Sequence, residues 1–141
     1  MANEAVKITL LGNAGDPVEW TVAAGTAIAK GTLMYISASP KTALATNGVS
    51  QAFCGIASVE KTATDGVTEL ALWTHGLFEM TCGAAESMVL GAPVQTGAAA
   101  NEVQVMSLDT IVSAPRVVGI AQETVAGNGV GAVLVNVGRT R

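Results

Sequence analysis

The residues best placed to do chemistry are His75 and Cys82, which lie seven positions apart (82 − 75). Histidine titrates near neutral pH, and a thiol beside an imidazole is the arrangement of a Cys-His nucleophile pair. However, Cys82 alternates with Phe78 and Met80, which is the pattern of a buried strand face. His75-Gly76 lies where we expect one half of the chain to pass to the next. We therefore expect a structural histidine, a buried thiol and no enzyme activity.

A glycine-rich stretch at residues 127–131, Gly-Asn-Gly-Val-Gly, is a second candidate because it resembles a phosphate-binding loop. Such a loop follows a strand and opens a helix whose N-terminus holds the phosphate. Here the glycines lead into an apolar strand that runs to Val137, so we expect a hairpin turn. Two cysteines and one histidine at these spacings are too few ligands for a zinc site. We expect no cofactor and no metal, and we expect Cys54 and Cys82 to be free, buried thiols.

Composition favours contacts with other proteins. Of the 141 residues, 50% are hydrophobic and only 13% are charged, with a formal net charge of -4. The Lys and Arg residues are scattered, whereas a nucleic-acid binder needs a clustered basic surface. The segment Met1–Leu11 lacks the apolar core of a signal peptide, and no apolar run approaches the roughly 18 residues of a membrane span. We expect cytoplasmic synthesis, no nucleic-acid or membrane partner, and a tendency to self-associate or to dock on another protein.

The elements that carry these residues are short strands. Apolar residues alternate with polar ones around Trp20, around Met80 and around Val135, which places each set on one sheet face. The dipeptides Asn47-Gly48, Asp65-Gly66 and Asn128-Gly129 predict hairpin turns. Only the stretches 84–90 and 108–113 suggest short helical pieces. The pattern predicts an all-β fold with little helix, a small barrel or sandwich of short strands.

An internal repeat organises the chain into two pseudo-repeated halves. Gly55-Ile56-Ala57 recurs as Gly119-Ile120-Ala121, 64 residues later (119 − 55), and each copy precedes a turn and an apolar strand. Residues 25–33 and 83–93 form a weaker matching pair. We interpret residues 1–141 as a single β domain: an N-terminal arm and strand at 1–22, a first half-repeat at 23–76, and a second at 77–138.

The candidate interaction residues are in the N-terminal region. Val6, Ile8 and Leu10 alternate with polar residues, so this arm could add as a strand to the sheet edge of a partner. The alternative is that the arm pairs within its own domain. Trp20 is the aromatic residue best placed for an interface with a partner or a second subunit, because its neighbours are polar; a core position is an equal alternative.

Several segments resemble the decoration, or cement, proteins of tailed-bacteriophage capsids. They are the opening Met-Ala-Asn-Glu-Ala, the segment Ala24–Ile36, and Phe-Cys-Gly-Ile-Ala at Phe53–Ala57. The recurrence of Val-Val-Gly-Ile-Ala at Val117–Ala121, before a valine-rich strand, fits the same pattern. The resemblance covers most of the chain.

The resemblance implies a structural virion protein that binds the outside of the expanded phage head and stabilises it. The partner would be the major capsid protein of a tailed phage, and the protein would form a homo-oligomer, most often a trimer, on the outer capsid surface after synthesis in the host cytoplasm. No catalytic residue is carried over, because the family has none. Two other classes stay open: another virion accessory, such as a head-fibre base or a tail component, and a small ligand-binding β-module.

Overall fold

The structure is a computed structural model that describes residues 3–9, 17–106 and 116–137. These residues form β-strands joined by turns, and none of them lies in an α-helix. The strands are β1 (Val6–Thr9), β2 (Val18–Thr21), β3 (Leu33–Ala38), β4 (Thr42–Ala45), β5 (Phe53–Ala57), β6 (Glu69–Trp73), β7 (His75–Cys82), β8 (Ser87–Met88), β9 (Pro93–Thr96), β10 (Glu102–Val105), β11 (Val117–Ala121), β12 (Val125–Ala126) and β13 (Val130–Asn136). The predicted all-β fold of short strands in two halves is confirmed.

One predicted helical piece is wrong. Within residues 84–90, residues 84–85 form a turn and Ser87–Met88 form β8. β8 pairs with β12, and the Met88 side chain is fully buried. Two short stretches of backbone that complete each other's hydrogen bonds are favoured here over a helix too short to be stable alone. The other predicted helical piece, at 108–113, lies outside the described residues.

Each half of the chain closes a barrel of its own. Barrel 1 contains strands in the order β2-β4-β3-β5-β6, with β6 pairing back to β2. Barrel 2 contains β7-β10-β9-β11-β13, with β13 pairing back to β7. Both use the same order and the same directions, including one parallel pair, β2 with β4 and β7 with β10. β2, which the sequence pattern assigned to the N-terminal segment, is the first strand of barrel 1.

The registers define which residues are equivalent in the two barrels. In the parallel pairs Thr21 faces Thr42 and Thr81 faces Glu102, so equivalents differ by 60 (81 − 21 and 102 − 42). In the later strands Ile56 faces Trp73 and Ile120 faces Leu134, so the offset is 64 in β5 (120 − 56) and 61 in β6 (134 − 73). The repeat recognised at Gly55 and Gly119 is therefore a repeat of the whole barrel.

Gly55 and Gly119, the two glycines of the repeat, allow the backbones of neighbouring strands to approach closely. A Cβ atom on Gly55 would lie 2.8 Å from the Trp73 carbonyl oxygen, and Gly55 has a φ of 153° that side chains disfavour. A Cβ atom on Gly119 would collide with the carbonyl oxygen of Leu134. Trp73 and Leu134 are equivalent, so both barrels use glycine at the same strand crossing.

The interior of each barrel is filled by small and medium apolar side chains. Equivalent residues do this in both barrels, since the strand period of two points them to the same side. In barrel 1 the buried residues are Val22, Ile28, Met34, Ala43, Cys54, Ala57, Leu70 and Leu72. In barrel 2 the set includes Cys82, Met88, Val94, Val103, Val118, Ala121 and Val133.

The two barrels also contact each other through apolar side chains. Leu33, Phe53, Ile56 and Trp73 lie on the outer side of barrel 1 and belong to the same buried cluster as the barrel 2 core. The Trp73 ring lies 5.7 Å from the Phe78 ring, measured between centroids. We call this contact the junction. It explains why all five residues of β5 are buried, although a strand that covers only a barrel interior would bury alternate residues.

Polar groups fix the register of the junction. The Leu33 N–H donates to Asn101 Oδ1 at 2.9 Å, and the Asn101 N–H donates to Thr46 Oγ1 at 3.3 Å. Thr96 Oγ1 donates to the Gly48 carbonyl and accepts from the Gln51 N–H. Asn101, Thr46 and Thr96 are buried, so these bonds satisfy groups that would otherwise be costly to exclude from water.

Candidate interaction surfaces

His75 and Cys82 lie at opposite ends of β7. Seven residues of strand span roughly 23 Å, and an odd spacing places the two side chains on opposite faces. His75 is half-buried beside Asn136, its partner in β13. The two side chains cannot form a nucleophile–base pair, because that pair requires hydrogen-bond contact.

Both thiols are buried, as expected from their apolar surroundings. Burial raises the pKa of Cys54 to about 12, only partly opposed by a backbone hydrogen bond. The pKa of Cys82 is also raised, first by burial and then by the negative charges of Glu86 and Glu102. Because the thiolate is the reactive form, neither side chain is activated for nucleophilic attack.

The N-terminal arm pairs within its own chain, which is the alternative that the sequence left open. β1 runs antiparallel to β7, with Val6 opposite Glu79 and Lys7 opposite Phe78. Before the strand begins, the Ala5 N–H donates to the Gly31 carbonyl oxygen at 2.7 Å. The segment thus contacts barrel 1 through Gly31 and barrel 2 through β7, and it lies across the junction.

The arm nevertheless presents apolar side chains to solvent. Val6 and Ile8 are 56% and 45% exposed. Val6 lies opposite the exposed Glu79, and Ile8 lies where the register of β1 shifts between Lys7 and Thr9. Leu10 lies outside the described residues. Of the three predicted arm residues, the structure therefore shows Val6 and Ile8 exposed.

Trp20 is a partly buried residue in β2 of barrel 1. Its side chain packs against the barrel 1 core, and the Lys41 ammonium lies 5.8 Å from its ring centroid. The indole Nε1 is buried and has no hydrogen-bond partner within the part of the chain that the structure describes. Trp20 thus combines the two positions left open by the sequence, since it contributes to the core and also borders the surface.

Lys61 is a buried cation that the sequence pattern did not single out. It is 2% exposed, and its Nζ donates to the carbonyl oxygens of Ala24, Thr26 and Thr62 at 2.6, 2.9 and 3.2 Å. Asp65 Oδ1 lies 3.5 Å from the same nitrogen. The barrel 2 equivalent is Val125, so the charge is a local feature of the loops that close barrel 1. The one sequence signal is the spacing of Lys61 and Asp65, which suits an ion pair across a turn.

Asp65 is held by its own loop. Its carboxylate accepts hydrogen bonds from the Val67 and Thr62 N–H groups, both at 2.9 Å. The Val67 bond is the main reason that the pKa of Asp65 is lowered, and the Thr62 bond and Lys61 charge act in the same direction. The predicted Asp65-Gly66 hairpin turn is instead part of a longer loop between β5 and β6, in which residues 63–64 form the turn, Asp65 lies in a bend and Gly66 has a φ of 71°.

Barrel 2 carries an apolar surface that the sequence did not reveal. Val89 and Leu90 follow β8 and are 46% and 65% exposed. Their barrel 1 equivalents are Ala29 and Lys30, and the Lys30 ammonium lies 5.5 Å from the Trp73 ring centroid. A search for strand periodicity misses this surface, because the two residues sit in a loop.

The described residues contain neither a cluster of metal-ligating side chains nor a helix that could span a membrane. Among residues 3–9, 17–106 and 116–137, no group of three His, Cys, Asp or Glu side chains is arranged to hold a metal ion. Over the same ranges there is no helix of the length and apolarity needed to span a membrane.

Comparison with known proteins adds no relative to these observations: no protein-family model and no curated protein sequence matches the chain.

Proposed function

We propose that this protein is a capsid decoration protein of a tailed phage, which binds the outside of the expanded head as a homo-oligomer, most simply a trimer, and stabilises the shell. The observation that carries the proposal is the exposed aliphatic surface of a small double barrel. Val6 and Ile8 on β1, and Val89 and Leu90 on barrel 2, are apolar residues open to solvent. Clustered exposed apolar residues mark sites of contact with other proteins.

The fold suits a load-bearing role. One residue, Thr74, separates β6 from β7, and the junction buries side chains from both barrels. The pair of barrels is therefore held in one orientation without a flexible linker. A protein that braces neighbouring capsid subunits needs such a fixed spacing, since a flexible connection would transmit little force between its contacts.

The arm is the proposed capsid contact. β1 is the last strand in its sheet order, and it has a neighbour on one side only among the described residues. An edge strand with exposed apolar side chains can accept a strand or a loop of the major capsid protein. Several arms in one oligomer would bind together, and multivalent attachment raises the overall affinity without any new kind of contact.

The test is co-sedimentation of the protein with expanded empty shells of the phage that encodes it. We expect Val6→Lys and Ile8→Lys to lower the bound fraction strongly while leaving the melting temperature nearly unchanged, because both side chains are exposed and a lysine at position 6 lies opposite Glu79. Val59→Lys is the matched control, since Val59 is 51% exposed on barrel 1 and lies away from the arm in sequence. Deleting the arm is a less clean test, because β1 is paired to β7 and its loss would affect folding.

Three outcomes separate the functions considered. Binding of the unaltered protein to expanded shells, lost in the arm variants, supports the proposal. Binding to tails or to head fibres, but not to shells, would identify a different virion accessory. No binding to any particle, together with a small molecule that raises the melting temperature, would identify a ligand-binding module.

A further inference from the structure

The repeat allows each surface of barrel 1 to be compared with the same surface of barrel 2. The outer side of barrel 1 at the junction is formed by Leu33, Phe53, Ile56 and Trp73, which are at most 9% exposed. The equivalent residues of barrel 2 are Pro93, Val117, Ile120 and Leu134. All four are apolar and all four are only partly buried. We call these four residues, with Val89 and Leu90 beside them in the fold, the outer face of barrel 2.

The loop beside this face shows the same contrast. Gly31 and Gly91 are equivalent: both have positive φ, at 89° and 80°, and their N–H groups donate to the equivalent carbonyls of Ala57 and Ala121. Gly31 is buried under the arm, and a Cβ atom there would meet the backbone of Ala5. At Gly91 no described atom lies within 4 Å of such a Cβ atom. The position that the arm fills on barrel 1 is therefore open on barrel 2, as far as the described residues are concerned.

The surface that covers the outer side of barrel 1 at the junction is the end of barrel 2 that carries Phe78, Thr96 and Asn101. The equivalent residues on barrel 1 are Val18, Ile36 and Lys41, each 60 positions earlier. Val18 and Ile36 are 39% and 44% exposed. Barrel 1 thus has an uncovered end on which Val18 and Ile36 stand where barrel 2 uses Phe78 and Thr96 at the junction. The hydrogen bond of Asn101 has no counterpart there, because Lys41 replaces the acceptor and Pro93 replaces the N–H donor Leu33.

We infer that copies of this chain associate head to tail, with the end of barrel 1 that carries Val18 and Ile36 seated on the outer face of barrel 2 of the next copy. The contact repeats between chains the junction that joins the two barrels within a chain. A second copy is the occupant that accounts for both open surfaces at once, because each surface is the repeat of one side of an interface that already exists.

This geometry has a consequence for symmetry. The two sides of the contact differ, so it is a heterologous interface, which closes into a ring if the rotation between copies allows it. A ring of three copies would present six barrels in sequence, with junctions inside and between chains alternating. The inference deepens the homo-oligomer of the proposed function by naming its contact surface. The tests below use the free protein without shells, so their failure is distinguishable from a failure of shell binding.

The first test joins the two surfaces chemically. Val18→Cys and Leu134→Cys chains are prepared separately, mixed, and treated with a short bismaleimide cross-linker. Because Val18 and Leu134 are equivalent to Phe78 and Trp73, whose rings are 5.7 Å apart, we expect a covalent dimer in the mixture. Each variant alone should give none. The native thiols Cys54 and Cys82 are buried and do not compete.

The matched control replaces the second site with one elsewhere on barrel 2. Val130 is 55% exposed at the start of β13. A mixture of the Val130→Cys and Val18→Cys chains should therefore give no covalent dimer. The inference is overturned if the Val18 and Leu134 mixture gives no dimer. It is also overturned if either variant alone gives as much dimer as the mixture, because the contact would then be isologous.

A second test covers the case in which a cysteine variant fails to fold. Leu90→Glu places a charge beside the outer face of barrel 2, and we expect it to weaken self-association, measured by sedimentation velocity, by at least about tenfold. Val130→Glu is the control, since the barrel 1 equivalent of Val130 is Glu69 and the barrel accepts that residue there. Equal association of both variants and the unaltered protein, or a monomer at every concentration, would refute the head-to-tail contact.

Discussion

Replacing Asn101 tests the polar part of the junction, because one side chain there meets two separate requirements. Its Oδ1 accepts the Leu33 N–H from the other barrel, and its own backbone is in the left-handed region at a φ of 61°. Asn101→Gly suits that backbone and removes the acceptor. Asn101→Ala removes the acceptor and adds the steric cost of a Cβ atom in this region.

The magnitudes follow from these two terms. A buried N–H that loses its partner costs about 1–3 kcal/mol, so we expect Asn101→Gly to lower the free energy of unfolding by that amount. Asn101→Ala should lower the free energy of unfolding by about 0.5–1 kcal/mol more than Asn101→Gly does. This difference is the cost of placing alanine in the left-handed region minus the stabilisation that comes from alanine restricting the unfolded chain more than glycine does. Against a total stability of about 5–15 kcal/mol, both changes are measurable.

Asn128 provides the matched control. It has a φ of 63° and is exposed in the turn between β12 and β13, and within the described ranges its side chain has no hydrogen bond to the opposite barrel. The difference between its Ala and Gly variants measures the backbone term alone, and it should equal the same difference at Asn101. Urea unfolding followed by tryptophan fluorescence gives all four values, since Trp73 lies at the junction. The reasoning is refuted if Asn101→Gly is as stable as the unaltered protein to within about 0.5 kcal/mol.

Three further predictions concern single groups. Lys61→Met should lower the free energy of unfolding by about 1–3 kcal/mol, because three carbonyl oxygens in a partly buried site lose their charged donor. Lys30→Met, at an exposed site, should lower it by less than about 1 kcal/mol. Similar losses for the two variants in thermal unfolding would contradict this. The folded-state pKa of Asp65 is lowered, so its contribution to stability is present above the ordinary aspartate pKa and is lost as the pH falls through the lowered value. The difference in free energy of unfolding between Asp65→Asn and the unaltered protein should therefore become smaller as the pH falls. A difference that grows instead would mean that folding raises the pKa of Asp65. Cys54, with a pKa of about 12, should react with a thiol reagent at pH 8 only as fast as the protein unfolds, and rapid labelling of the native protein would show that it is accessible.

The fold class was predictable because short strands leave a direct trace in the sequence. The alternation around Met80 marks Phe78, Met80 and Cys82, which the structure buries, whereas the alternation around Trp20 marks Val22, which is buried, and Val18, which is 39% exposed. The Gly-Ile-Ala repeat at 55–57 and 119–121 falls on equivalent strands. Closure of two separate barrels was not predictable from these patterns. It depends on which strands pair across about 50 residues of chain, as with Val18 and Leu72, and periodicity carries no information about distant partners.

The candidate surfaces were harder to predict for a related reason. Phe53 and Ile56 have the same pattern as Val117 and Ile120, yet the first pair is buried by barrel 2 and the second is partly exposed. Only the packing of one barrel on the other distinguishes them. Lys61 was missed because lysine is exposed by default, and its burial depends on three carbonyl oxygens from loops distant in sequence or adjacent to it.

Because barrel 1 precedes barrel 2 in the chain, the junction can form only after both barrels have been synthesised. Barrel 1 has all five of its strands once Trp73 has been made, so it can close while barrel 2 is still being translated. Until barrel 2 is complete, however, the side chains of Phe53 and Ile56 lack their cover, and β1 lacks its partner β7. The half-made chain therefore presents an adhesive surface together with an unpaired strand. Completion of the second barrel covers these side chains and supplies the strand that pairs with β1.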